Sequence, residues 1–436
     1  TPGAIAATFD LSFTASDGVN IDTSTSSFTL TFFQYITPTF TLNNPNPVGT
    51  SAVDQFARYL AVSGDYAVVA AVGEDDANGG SGKAYIYNVT TGALVRTLNN
   101  PNIFGTSAND NFGTAVAIDG NYAAVSAPDE DVSGSLGSGR VYLFDITTGA
   151  QTRRFDNPNA YGTPAGDRFG TSLGISGDYV IVGAFAEDDA GGTNSGKAYI
   201  YSISTGGQVH QLNNPNVFGT SANDNFGTAV AIDGNYAVAS APNEDVSGST
   251  GDGRVYIYNV TTGALVHTLD NPNAYGTATG DLFGHAVSIS GNYAIASARM
   301  EDDASGTESG KAYIFNVTTG ALVHTLDNPN VYDATGGAEY FGTTVGISGN
   351  YAIVGAMRED DAGGTGGNQS GKAYIFNVNT GMLLYVMNNP NAFGTADDDQ
   401  FGTATAISGN NVLVGAYDED DASGSMSGKA YIFQIT

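Results

Sequence analysis

The chain has no cysteine in 436 residues. A disulfide framework, a structural thiolate metal site and a cysteine nucleophile are therefore excluded, while the compartment stays open because many secreted proteins also lack cysteine. Basic residues are scarce: 14 Lys and Arg stand against 44 Asp and Glu, a net charge of −30. Nucleic acid and anionic membrane surfaces would repel such a chain, and neither is expected as a partner. No apolar run approaches the ~18 residues a membrane span needs. The first residue is Thr1 rather than Met, as in a processed or trimmed chain. There are four histidines, and no Ser or Cys nucleophile signature, phosphate loop or His-rich metal motif.

What the chain has instead is repetition. A unit of about 57 residues returns seven times, each copy marked by a Phe (Phe56, Phe112, Phe169, Phe226, Phe283, Phe341, Phe401) that Gly follows in all but the first. A fixed period of this length means units that pack on one another, not independent domains. Within a copy, FGTAVAI (112–118) is followed by a DGN turn and then YAAVSAP (122–128). An acidic Gly/Ser loop, RVYLFDI (140–146), a TTG turn and a fourth segment ending in Asn-Pro-Asn complete it. Short segments rich in Val, Ile, Tyr and Phe between Gly, Asn and Asp read as strands. Four antiparallel strands in series make a propeller blade, so the fold expected is an all-β, seven-bladed β-propeller with almost no helix.

Ring closure is legible at the two ends. The last unit stops after its third strand, GKAYIFQIT (428–436), and ITPTFTLNNPN (36–46) matches fourth strands such as ALVRTLNNPN (93–102). An N-terminal strand should thus complete the last blade and remove two open sheet edges. Truncating it should cost far more stability than its length suggests. The domains are then an N-terminal β extension, 1–35, and the propeller, 36–436. FGTSANDNFGTAVAIDGNYA occurs at 104–123 and again at 218–237, as duplication of a two-blade unit would produce.

The placement of charge is more informative than its total. The loop from strand two to strand three shares a face with the connection to the next blade, and both are long; the other turns are minimal and lie opposite. The long loops carry Glu74-Asp75-Asp76, Asp129-Glu130-Asp131, Glu187-Asp188-Asp189, Glu244-Asp245, Glu301-Asp302-Asp303, Glu359-Asp360-Asp361 and Asp418 to Asp421. One carboxylate also stands two residues before each Phe: Asp54, Asp110, Asp167, Asp224, Asp281, Glu339 and Asp399. Paired carboxylates repel by about 1 kcal/mol at ~4 Å even in bulk water. Each blade offers one nearby cation at the start of strand three (Lys83, Arg140, Lys197, Arg254, Lys311, Lys372, Lys429), too few to neutralise three or four carboxylates. Ca²⁺ bound in some blades by the Asp residues of both sets other than Asp54 and Asp418 is one expectation, because it takes 6–8 oxygen ligands from flexible Gly-rich loops. A solvated acidic surface with turn-forming Asp is the other.

Phe-Gly entering strand one, a small pair closing strand two (Ala127-Pro128, Gly183-Ala184, Ala241-Pro242, Gly355-Ala356, Gly415-Ala416) and Gly-Lys/Arg-x-Tyr opening strand three resemble FG-GAP repeats. The resemblance spans residues 36–436. It implies the seven-bladed propeller of integrin α-subunits and many bacterial surface proteins, with an extracellular or cell-surface setting and adhesion or protein binding, often with calcium. Integrin-type calcium repeats place their Asp/Asn-rich loop between strands one and two. Here that place holds three-residue turns such as Asp119-Gly120-Asn121, so any calcium must use the other face.

Five Asn-Pro-Asn segments are followed by an aromatic and Gly: Phe104, Tyr161, Phe218, Tyr275 and Phe393. These rings could stack on sugars of a glycan ligand or wedge between blades. Asn-Pro itself ends a strand, because the residue before Pro is held extended. His210, His267 and His324 take matching places on the outermost strand, where exposure is expected, and His285 replaces the usual Thr after Phe-Gly, near the axis. Carboxylate pairs can serve glycoside hydrolysis, yet here they recur in every blade, where an active site would show as one blade breaking the pattern. In residues 1–35, Phe9, Leu11 and Phe13, then Phe28, Leu30 and Phe32, alternate with polar residues as two strands would. A lone hairpin must bury its apolar face, on the propeller or by self-association. The reading is a non-enzymatic propeller that binds a protein or glycan on its acidic long-loop face. The alternatives are a subunit of a self-assembling extracellular filament or layer, and a lectin or polysaccharide-acting enzyme.

Overall fold

The computed structural model describes residues 5–16, 21–45, 53–74, 80–102, 109–132, 134–159, 164–189, 192–216, 221–246, 250–272, 280–302, 308–329, 338–359, 369–390, 398–420 and 426–436, with the backbone alone for residues up to 32. Its described residues are strands and turns, without helix. Blade one consists of Phe56–Ser63, Tyr66–Ala71, Lys83–Asn88 and Leu94–Asn99, paired in that order. Blades two to six repeat it, with innermost strands Val116–Asp119, Ser172–Ser176, Val230–Asp233, Phe283–Ser290 and Phe341–Ser348. Blades two and four, the near-duplicates, share the shortest form of that strand, Val-Ala-Ile-Asp.

Blade seven closes as the sequence requires. Its strands Ala404–Ser408, Asn411–Ala416 and Lys429–Gln434 are joined on the outer edge by Phe40–Asn43, antiparallel, with Ile432 opposite Phe40 and Lys429 opposite Asn43. Just before this, Gln34–Tyr35 runs parallel to Tyr385–Val386 and adds a fifth strand to blade six. That cover explains a local composition. The outer strand of blade six reads Leu-Leu-Tyr-Val-Met and buries Tyr385, Val386 and Met387, whereas its counterparts read Leu-Val-His-Thr-Leu and bury only the last residue. The hairpin Ile5–Ser16 with Ile21–Phe32 forms a two-stranded sheet of its own.

Both faces of a blade are covered by neighbouring blades, so the period of two sorts side chains between two seams rather than between core and water. In strand three of blade one, Tyr85 and Tyr87 turn towards blade seven and pack with Phe56, Leu413 and Ile432. Ala84 and Ile86 turn the other way, against Phe112, Val125 and Tyr142 of blade two. Each of the seven seams holds one such cluster. The repeated Phe is fully buried and meets two strand-three rings edge-on or tilted, as Phe226 meets Tyr256 at 5.8 Å and Tyr258 at 6.2 Å. Such pairs add about 0.5–1.5 kcal/mol beyond the area buried. The same Phe donates its amide to the preceding blade, from Phe112 to the Ser81 carbonyl (3.1 Å) and, at the closing seam, from Phe56 to Ser427 (3.2 Å).

The seven innermost strands surround a narrow channel of about 260 Å³, lined by residues such as Leu60, Val116, Leu173, Val287, Ser288 and Thr405. Channel, turns and long loops thus define two unlike faces. The turns from strand one to strand two, Gly64-Asp65 and Gly120-Asn121 for example, lie on one. The long loops and blade connections lie together on the other, tied by backbone hydrogen bonds such as Gly166 to Leu136 (2.9 Å) and Gly280 to Thr250 (2.9 Å).

Candidate functional face

The acidic residues of the long-loop face are sorted by the fold into three unlike settings. In every blade the Glu of the loop is wholly buried: Glu74, Glu130, Glu187, Glu244, Glu301, Glu359 and Glu419. Its partners come from strand three, two residues apart on one side of the strand. In blade four the Arg254 guanidinium reaches Glu244 at 3.1 Å and the Tyr256 hydroxyl donates to it at 2.6 Å. Lys83 meets Glu74 at 2.7 Å and Lys372 meets Glu359 at 2.8 Å. In blade five Lys311 turns to Asp327 instead (2.6 Å), while Tyr313 holds both oxygens of Glu301 (2.7 and 2.6 Å). Burial outweighs these partners and pushes Glu130, Glu244 and Glu301 up to about 7. In six blades the strand-three cation is therefore committed to a buried ion pair with that Glu, and in blade five to Asp327, so it does not neutralise the loop at large.

In five blades the residue after the Glu closes the loop. Asp131, Asp188, Asp245, Asp302 and Asp420 each accept the backbone amide six residues on, from Gly137, Asn194, Gly251, Glu308 and Met426, at 2.9 to 3.0 Å. The third setting is the carboxylate before each Phe, which is also buried. Asp54, Asp110, Asp167, Asp224, Asp281, Glu339 and Asp399 accept side-chain amides from the preceding Asn-Pro-Asn. For Asp167 the donors are Asn157 at 2.8 Å and Asn159 at 2.5 Å. Burial raises it to about 6, and moves Asp110 and Asp224 in the same direction. The motif that ends strand four thus also supplies the hydrogen-bond donors for the carboxylate at the entry to the next blade.

Of the remaining expected metal ligands, Asp129 pairs with Arg168 (3.0 Å) and accepts from Asn111 (2.6 Å), and Asp189 faces the Ser221 hydroxyl at 3.5 Å. Asp75, Asp76, Asp303, Asp360, Asp361 and Asp421 lie outside the described residues, as do the five aromatics Phe104, Tyr161, Phe218, Tyr275 and Phe393. Among the described residues no group of three or more His, Asp or Glu is placed to hold a metal ion. The described carboxylates named above are engaged with protein donors.

The outer histidines are not simply exposed. Nε2 of His210 stands 3.1 Å from the Thr261 carbonyl and that of His267 stands 2.9 Å from Thr318, both in the next blade's turn. Arg153 makes the same reach to Ile203 and Ser204 (both 3.0 Å). These are blade-to-blade clasps. His285 stands on an innermost strand two residues before Val287, which lines the channel, and burial and then the nearby Arg299 lower its pKa to about 3 and keep the ring neutral.

The mouth of the channel holds residues the sequence did not single out. Seven of the 14 basic residues start the third strands, and Arg96, Arg153 and Arg154 lie on outer strands. The other four, Arg58, Arg168, Arg299 and Arg358, all sit beside the first residues of strand one or the last of strand two, around the mouth on the long-loop face. Each stacks on an aromatic ring: Arg58 on Tyr417 (5.2 Å), Arg168 on Phe185 (6.0 Å), Arg299 and Arg358 on Tyr340 (5.1 and 4.6 Å).

The sequence pattern of the FG-GAP repeat matches residues 47–87, 105–144, 160–201, 219–258, 273–315, 333–376 and 392–433, in each case the entry and first three strands of a blade. Together these cover well over half of the chain, which belongs to the FG-GAP repeat family. No curated protein sequence matches it significantly. Among solved structures, one titled "Crystal Structure of Mitotic Checkpoint Complex" is similar over 93% of this chain and 93% of that one, with a TM-score of 0.53 and 14% identity. At that identity the likeness shows the fold alone. No helix is long and apolar enough to cross a membrane among the described residues.

Proposed function

We propose that this FG-GAP propeller is a non-enzymatic binding module, secreted or displayed at a cell surface, that presents its long-loop face to a protein or glycan partner. The observation that carries the reading is where the seven copies differ. The opposite face repeats nearly identical two-residue turns, while Arg58, Arg168, His285, Arg299, Tyr340 and Arg358 break the repeat and gather at one mouth. Scaffold positions are uniform because each blade must fit its neighbours; a binding surface need not be.

The absence of cysteine makes the test clean. Leu136→Cys on the long-loop face and Asp65→Cys on the turn face, both exposed, are each coupled to a bulky maleimide polymer. Binding to surface material of the source cell should be lost with the first label and kept with the second. Equal loss, or loss with the second alone, rejects the assignment of the face.

Calcium enters this proposal through the acidic loops, whose third carboxylates, such as Asp76, Asp303, Asp361 and Asp421, lie outside the described residues. Its test is the melting temperature at fixed ionic strength with calcium, magnesium or chelator, because a ligand of the folded state raises it by mass action. A second reading, assembly through the N-terminal strands, is favoured by one observation: Ile5–Ser16 and Ile21–Phe32 pair with each other and with no blade.

A further inference from the structure

Arg299 and Arg358 form an unusual pair in a chain so rich in acid. Both guanidiniums stack on the Tyr340 ring, at 5.1 and 4.6 Å, and burial, with the neighbouring Arg358 adding to it, lowers the pKa of Arg299. The Nε atoms of both are buried without a hydrogen-bond partner. Among the described residues neither makes an ion pair, although the chain carries 44 acidic residues and Arg58 and Arg168 at the same mouth have polar partners, Gln55 (2.6 Å) and Asp129 (3.0 Å). A ring quadrupole returns about 0.5–2 kcal/mol per cation, and Glu308 acts on Arg299 only from beyond ion-pair distance, which leaves two like charges together without a carboxylate in contact among the described residues. Planar guanidinium forks in this state are built to take an oxyanion, and a carboxylate matches them in shape.

The neighbouring cavity indicates what carries the carboxylate. His285, on which Arg299 acts electrostatically, also lines a cavity of about 240 Å³. Its walls combine Phe185, Pro242 and Leu282 with the side-chain amides of Asn225 and Asn243 and the His285 ring. Apolar and aromatic surface interleaved with amides suits a sugar ring, which offers C–H faces and hydroxyl edges together. A densely charged polyanion is disfavoured by the surrounding net charge of −30. We propose that this mouth binds an acidic sugar of the uronate type, its ring in the cavity and its carboxylate on Arg299 and Arg358. The inference rests on the long-loop face being the binding face, and it names the ligand class of that face.

The probes are oligosaccharides containing glucuronate or galacturonate, titrated calorimetrically against the full chain, with neutral oligosaccharides of the same length and inorganic sulfate as comparisons. Uronate oligosaccharides should bind, and Arg299→Gln and Arg358→Gln should each weaken binding at least tenfold while Arg96→Gln, on an outer strand, leaves it unchanged. Asn243→Ala should weaken uronate binding and leave any sulfate binding alone. Absence of uronate binding, indifference to both arginine changes, or sulfate binding as tightly as the uronate would overturn the proposal. Because the polymer-label experiment reads the face independently, a uronate failure with label sensitivity intact removes the ligand class and leaves the face standing.

Discussion

Gly428 and Phe56 meet at the seam where the last blade joins the first: a Cβ on Gly428 would stand 2.0 Å from the Phe56 carbonyl oxygen, and its φ of +79° disfavours any side chain. Six other seams repeat the contact, as between Gly82 and Phe112 (2.1 Å) or Gly371 and Phe401 (2.0 Å). The Gly before the cation of strand three and the Phe of the next blade are therefore one device, split across two repeats. Gly428→Ala should destabilise the ring by about 2–4 kcal/mol, from the steric conflict plus about 1–2 kcal/mol of left-handed backbone cost. Gly120→Ala, at φ +53° with nothing within 4 Å, should cost only the backbone share. Urea denaturation of the two variants measures the difference, and equal losses would reject the seam as the cause.

The buried Glu–cation–Tyr groups should show the asymmetry of buried charge. Lys197 lies 2.5 Å from Glu187, whose side chain is 0% exposed, and Tyr199 donates to both Glu187 oxygens (2.8 and 2.7 Å). Lys197→Met strands the carboxylate and should cost about 3–5 kcal/mol. Tyr199→Phe should cost about 1 kcal/mol. Replacing all three with Met, Met and Phe removes the stranded groups, so the triple variant should melt above the single Lys197→Met variant. A triple variant that melts lower would show that the group contributes net stability.

These settings explain what the sequence revealed and what it hid. The blades were legible because alternation, turns and length recur in all seven copies, and the missing fourth strand of one end was present at the other, where Phe40–Asn43 now lies on Lys429–Ile432. Burial was not legible, because a run such as Glu187-Asp188-Asp189 reads as three equal charges. A signal existed: the buried member is Glu in every copy, long enough to reach the Tyr of strand three, and the loop-closing residue after it is Asp. Likewise Asn-Pro-Asn and the acid before Phe keep near-constant spacing, eight and ten residues in the Asp167 pair, as hydrogen-bonded partners do. The mouth was hidden for the opposite reason. Arg299, Tyr340 and Arg358 are departures from the repeat, and reading the consensus passes over them.

Stability should rise as pH falls from 8 to 5, against the usual trend for a chain of buried ion pairs. Burial raises Glu130, Glu244 and Glu301 from an ordinary 4.5 to about 7 and Asp167 from 3.8 to about 6. Between those values the folded chain holds more protons than the unfolded chain, so the stability these groups contribute is complete below about 4.5 and is lost as pH rises through about 7. His285, lowered from 6.5 to about 3, acts in the opposite sense as pH falls below 6.5, but it is a single group. The urea midpoint should be higher at pH 5.5 than at 8.5, and Glu130→Gln, Glu244→Gln and Glu301→Gln together should flatten the slope. A midpoint that rises with pH would contradict the raised carboxylates.

The N-terminal segment should divide sharply at about residue 33. The paired strands Ile5–Ser16 and Ile21–Phe32 join no blade, whereas Gln34–Tyr35 covers blade six and Phe40–Asn43 completes blade seven. Leu42 is buried in the closing seam, with Phe40 packed beside it, and Ile36 packs against the seam before it. A chain starting at residue 33 should therefore keep its melting temperature. One starting at residue 46 loses about 1.5–3 kcal/mol for each fully buried side chain and opens the edge of Lys429–Gln434 to other chains, so it should melt much lower and aggregate. Light scattering on the longer of these two chains also tests assembly. If the hairpin links copies, removing residues 1–32 converts oligomers into monomers, whereas an unchanged molecular size per chain discards the assembly reading and leaves the long-loop face as the route to a partner.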